Sequence, residues 1–168
     1  MERLAWKKFR GFYSEDTLRG LLAVIGTDKR DEVVREAVRS IQERQGFHST
    51  DTEFLLACDR VDEAEAYIVS RRAQIEGDYY PGLLRLLEAL EGRQRPLAES
   101  VLYRALLDSI LKRAISKYYH HAVRYLRRLD RVAPGVEDWQ DVPSHAEYMA
   151  SLREKHGRKP SFWGRYET

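Results

Sequence analysis

Cys58 is the chain's only cysteine, so no internal disulfide can form, and a reducing cytoplasm is the expected setting. Long apolar runs are also missing. None approaches the roughly 20 residues that cross a bilayer, and the opening MERLAWKKFRGFY has no apolar stretch before a small-residue cleavage site, which argues against a secretory signal. Alternating apolar–polar runs rich in Val, Ile and Thr are absent, which removes the case for a sheet. There is no G-x-S-x-G, no P-loop and no dinucleotide-binding glycine fingerprint. With no legible nucleophile, base or phosphate cradle, the expectation is a protein that is not an enzyme and needs no cofactor.

Histidine is present without metal-site spacing. His48, His120, His121, His145 and His156 form no H-x-x-x-H or H-E-x-x-H pattern. The adjacent pair, His120 and His121, points about 100° apart on a helix, so both cannot easily ligate one ion. No metal is expected. Cys58 lies among apolar neighbours and reads as a small buried hydrophobe rather than a reactive thiol.

What the chain does have is helical periodicity and charge. Its 168 residues suit a single domain with a real core. Within it, residues 1–50 read as N-terminal helices, 51–133 as a helical-repeat core, and 134–168 as a C-terminal helix with an aromatic, basic tail. Charge is uneven: residues 1–10 carry four Lys/Arg against one Glu, residues 11–110 carry 13 against 19 acidic residues, and residues 111–168 carry 12 against 7. The ends can meet an acidic partner or nucleic acid, or dock on the acidic middle of this chain or a second copy.

Helix signals follow one another along the chain. Trp6, Phe9 and Tyr13 share one helical face near the start, fit to pack on the next helix or to form a partner- or membrane-surface arm. Residues 14–16 offer N-caps for a helix over 17–25 stopped by Gly26. A second helix runs to about residue 44, with Val33, Val34, Ala37, Val38 and Ile41 inward. FHSTDT reads as a loop before a short helix from Phe54. Asp62 with Glu65 reads as a capping box opening a helix to about residue 75. Pro81 and Pro96 start two further helices. The second of these, over 97–115, is apolar nearly all round and should be the core's central helix. Ser144 with Glu147 reads as another capping box.

The stretch SKYYHHAVRYLRRLDRV carries two stripes. Tyr118, Ala122, Tyr125, Leu129 and Val132 make an apolar one; Lys117, His121, Arg124, Arg128 and Arg131 make a basic one. With Arg158, Lys159 and Trp163 from the tail, the basic stripe is the candidate binding surface. Interleaved cations and rings in the tail fit a single-stranded nucleic-acid platform, or else Phe162 and Trp163 pin the tail to the helices while the cations stay wet. The expected fold is all-α: antiparallel hairpins stacked as a short, right-handed, tetratricopeptide-like array with a repeat of about 35 residues.

KYYHHAVRYLRRLDRVAP, a loop tryptophan, and HAEYMASLREKHGRKPSFW together resemble the end of an uncharacterised bacterial family of helical proteins. That family is a domain of unknown function related to the region after the zinc finger in SWIM-type proteins. The resemblance covers roughly residues 54–163. It implies a tetratricopeptide-like fold and no established activity. The SWIM motif needs C-x-C followed by C-x-H, which one cysteine cannot supply. The leading expectation is therefore a non-catalytic protein-interaction module that binds a protein partner or itself, with nucleic-acid binding through the basic C-terminal region as the alternative.

Overall fold

Two serines set helix starts as their neighbours dictate. Ser14 and Ser144 each accept a hydrogen bond from the N–H three residues on, and the side chains of Thr17 and Glu147 bond back to each serine's own N–H. Both orphaned donors are thereby satisfied. The computed structural model describes residues 1–168 and contains helices and turns with no strand.

The ten α-helices are α1 (Glu2–Gly11), α2 (Glu15–Ile25), α3 (Arg30–Glu43), α4 (Ser49–Ala57), α5 (Val61–Ser70), α6 (Tyr80–Leu90), α7 (Pro96–Arg113), α8 (Tyr119–Val132), α9 (His145–His156) and α10 (Pro160–Glu167). None is long and apolar enough to cross a membrane. The chain forms two compact units, residues 1–67 and 68–168, and the division falls inside α5.

In the N-terminal unit, Phe9 is completely buried, with the rings of Tyr13 and Phe54 at 4.9 and 5.9 Å and Trp6 at 6.3 Å. The aromatic face of α1 therefore packs inward, although Phe12 stays exposed. Arg10 lies over Trp6 and pairs with Glu36 on α3 at 2.8 Å, so even the basic start is used internally. The five expected residues of α3 are buried. Cys58 is half-buried rather than fully buried, and burial pushes its thiol above the usual range.

In the C-terminal unit α7 is the central element, buried on most of its faces and packed against α8 and α6. α8 turns Tyr119, Ala122, Val123, Tyr125, Leu126 and Leu129 inward. α10 lies along α8. The sequence tail is thus a helix, opened by Pro160 in its first turn.

Several boundaries differ from the sequence reading. α4 starts at Ser49, not Phe54, because His48 takes the N-cap position and the Thr52 hydroxyl donates back to its carbonyl at 3.1 Å. α5 starts at Val61, one residue before Asp62. It ends at Ser70, and a 3-10 turn at Arg72–Gln74 follows. Ser116 caps nothing: Ala114 takes a left-handed conformation at φ 56°, and residues Ser116–Tyr118 form a 3-10 turn before α8. Lys117 and Tyr118 therefore fall out of register with the stripes read from sequence, and Tyr118 is exposed.

Gly77 marks the closest backbone approach in this unit. A Cβ there would lie 2.1 Å from the Ala105 carbonyl oxygen and 2.6 Å from the Ser109 Cβ. The segment before α6 rests directly on α7 only because residue 77 has no side chain. Gly77→Ala is expected to destabilise the protein by about 1–3 kcal/mol through forced overpacking. Gly164→Ala, in α10 with open space around it, is expected to be neutral or to stabilise by up to about 1 kcal/mol. Urea unfolding of the two variants checks the contrast.

Candidate functional site

α8 presents its basic stripe to a groove, and two other helices supply the opposite wall. The groove holds about 490 Å³. Arg124, Arg128 and Arg131 line one side, and Glu88 of α6, Glu91 just after it and Glu99 of α7 line the other. Leu84, Leu87, Val132, Tyr103 and Tyr125 complete the lining. Burial, and then the neighbouring Glu91, hold the Glu99 carboxyl above its usual range. The Tyr103 hydroxyl is raised chiefly by burial, with Arg128 opposing.

The candidate surface divides into three groups. Arg124, Arg128 and Arg131 converge on the groove. His121 sits one turn before them: its Nδ1 accepts from Arg124 at 2.8 Å, and its ring stacks on His120 at 3.9 Å. Lys117 is exposed in its 3-10 turn, its ammonium over the Tyr118 ring.

The tail residues do not join them as a contact platform. Trp163 is 5% exposed. Its indole N–H donates to the His156 carbonyl at 2.8 Å, and Arg153 covers its ring at 4.0 Å. Phe162 is fully buried against Tyr119. Arg158 is exposed, and Lys159 is the N-cap residue of α10. Trp163 is thus a packing residue, because the α10 helix turns its ring toward α9.

One polar junction ties three helices together. Asp130 of α8 accepts from His145 Nε2 at 2.8 Å and from the Tyr166 hydroxyl of α10 at 2.6 Å. Burial, and then the Asp130 bond, push the Tyr166 hydroxyl up to about 12. The histidine–carboxylate pair resembles an acid–base arrangement, yet the ring's other nitrogen, Nδ1, is buried without a partner. No three histidine, cysteine or acidic side chains group closely enough to hold a metal ion.

Sequence reading named Tyr148 only as an inward residue of the last helix and did not single out Arg104 or Asp108. Burial lowers the Arg104 pKa, raises that of Asp108, and drives the Tyr148 hydroxyl far above its ordinary range. The one available signal was an arginine among the inward positions of a helix that is apolar nearly all round.

The model of one protein family, a family of unknown function (DUF6880), matches residues 1–165. The match includes the first fifty residues, for which sequence reading found no motif. No curated protein and no solved structure matches the chain.

His121 and His156 bear on pH dependence. His121 is held below its usual pKa by burial, then by His120 and Arg124. His156 is lowered by burial, then by Lys159 and Lys155. For both, the unfolded chain binds protons more readily than the folded one. Their contribution to stability is complete above the unfolded histidine value of about 6.5 and is lost as pH falls below it toward the depressed folded values. The melting temperature should fall between pH 7.5 and pH 5.5, less steeply in His121→Gln, as thermal unfolding at the two pH values will show.

Proposed function

We propose that this chain, which belongs to the DUF6880 family of unknown function, is a non-catalytic helical scaffold whose α6–α7–α8 groove receives a segment of a partner protein. The observation that carries this reading is the mixed lining: three arginines, three glutamates and the apolar Leu84, Leu87 and Val132 share one groove. A partner helix with an apolar stripe flanked by both signs of charge complements all three surfaces. A partner cation beside Glu99 also offsets the burial, and then the Glu91 charge, that hold its carboxyl up.

The finer parts of the reading belong to the same proposal. The helices stack as tetratricopeptide-like hairpins, the kin of the chain include the helical region of SWIM-type proteins, and it works in the bacterial cytoplasm with a second protein or another copy of itself. Short links between successive helices support the stacked hairpins, and the lone cysteine suits a reducing cytoplasm. Nucleic acid suits the groove less well. The glutamate wall repels phosphates, and the ring that a stacking platform needs, Trp163, is buried. Catalysis has weaker support, since the shielded Nδ1 of His145 leaves the histidine–aspartate pair without an exposed base.

The test is quantitative capture from the source cell's extract with the full chain and with Arg128→Glu and Glu99→Lys. The expected outcome is a specific protein that both substitutions weaken by about tenfold or more, the scale of about 1.4 kcal/mol. A captured protein indifferent to both substitutions contradicts the proposal. So does an oligonucleotide whose binding weakens steeply with salt and is reduced by Arg124→Ala and Arg128→Ala.

A further inference from the structure

α7 carries one guanidinium into the interior of the C-terminal unit. Arg104 is 7% exposed and lines an open pocket of about 820 Å³ that shares no residue with the α6–α7–α8 groove. Its Cζ lies 4.8 Å from the centre of the Trp139 ring and 4.6 Å from that of Tyr148. Nη1 donates to the Pro143 carbonyl at 2.7 Å. Nε and Nη2 are buried and have no hydrogen-bond partner. Together they form one edge of the guanidinium, the edge that takes both oxygens of a carboxylate in parallel hydrogen bonds.

The obvious internal partner is engaged elsewhere. Asp108 lies one turn further along α7, and its Oδ1 accepts from the Tyr148 hydroxyl at 2.6 Å. Around the pocket, Arg72 is paired with Asp141 at 3.2 Å and Arg113 lies 3.6 Å from Asp78. The lining holds four cations, Arg72, Arg104, Lys112 and Arg113, against the three carboxylates Glu76, Asp78 and Asp108. Asp141, the partner of Arg72 outside the lining, brings the charges into balance. Ile75, Val101 and Val142 give the rest of the lining an apolar character. The Asp108 and Glu147 carboxylates act on Arg104 through space, but neither is bonded to its Nε–Nη2 edge, and a buried guanidinium with an unbonded edge is costly.

We propose that this pocket binds a single carboxylate group carried on an apolar body, held by Nε and Nη2 of Arg104. The pocket's size fits a small organic ligand. A free organic acid and the carboxyl end of a peptide share this chemistry. Because both N–H groups are shielded, the occupant displaces the Tyr148 ring as it arrives. The site is independent of the groove and stands or falls without it.

The experiment is a titration of the full ¹⁵N-labelled chain with sodium benzoate, and with benzamide as the uncharged control, at constant ionic strength. The Arg104 Nε–H and Trp139 indole N–H resonances are followed. Benzoate is expected to move both saturably and the Arg104 resonance downfield, while benzamide moves neither. Lys112→Ala, at an exposed position, should weaken binding severalfold. Arg104→Lys keeps the charge but loses the fork and should weaken it by about tenfold or more. A peptide with a free C-terminus that binds more tightly than benzoate, and loses this on amidation, assigns the peptide end as source. A peptide that binds no better assigns a free acid. The proposal is overturned by an unmoved Arg104 resonance at saturating benzoate concentrations, by equal response to benzamide, or by inorganic phosphate binding more tightly than benzoate.

Discussion

The C-terminal unit depends on the contact between α7 and α8. It is the most extensive helix–helix contact there, and it is made by side chains with almost no exposure: Leu102, Leu106, Leu107 and Leu111 on α7, Ala122, Leu126 and Leu129 on α8. Each buried leucine contributes about 1.5–3 kcal/mol relative to exposure. Ala122 keeps the helix surface low enough for close approach. The functional features are consequences of this contact. It sets the arginine wall of α8 against the glutamates of α6 and α7, and it gives α10 a surface on which Phe162 and Trp163 can be buried.

Electrostatics then acts within limits that packing has set. The basic stripe does not face open water alone; it shares a groove with carboxylates, among them Glu99, whose carboxyl is held up by burial and then by Glu91. Arg10 and Arg153, from the basic ends, pair with Glu36 and Glu167. Part of the basic charge at the chain's ends is thus paired within its own unit. Arg104 differs, since the Nε–Nη2 edge of its buried fork has no hydrogen-bond partner.

Local signals in the sequence carried most of the helices. Capping boxes at Ser14 and Ser144, prolines in the first turns of α6 and α7, and the buried stripe of α3 all express preferences of a few neighbouring residues. The errors arose where two local preferences competed. Ser49, Thr50 and Asp51 favour caps and turns, yet they join α4 because burial of Phe54 and Leu55 extends the helix backward. The tail looked irregular because Gly157, Pro160 and Gly164 outweighed the first-turn preference of Pro160. The glutamate wall and the Arg104 pocket were not legible, because each requires residues far apart in sequence to meet, and no periodicity encodes which face of one helix finds which face of another. The same limit kept Gly77 from being recognised as more than a loop residue.

Hydrogen–deuterium exchange of the full chain tests most directly whether the α7–α8 contact is what holds the C-terminal unit together. The account predicts that the amides of the buried segments of α7 and α8 are the slowest in residues 68–168 and exchange together, while α9 and α10 open first. Early exchange in α7 or α8 while α10 stays protected would contradict it.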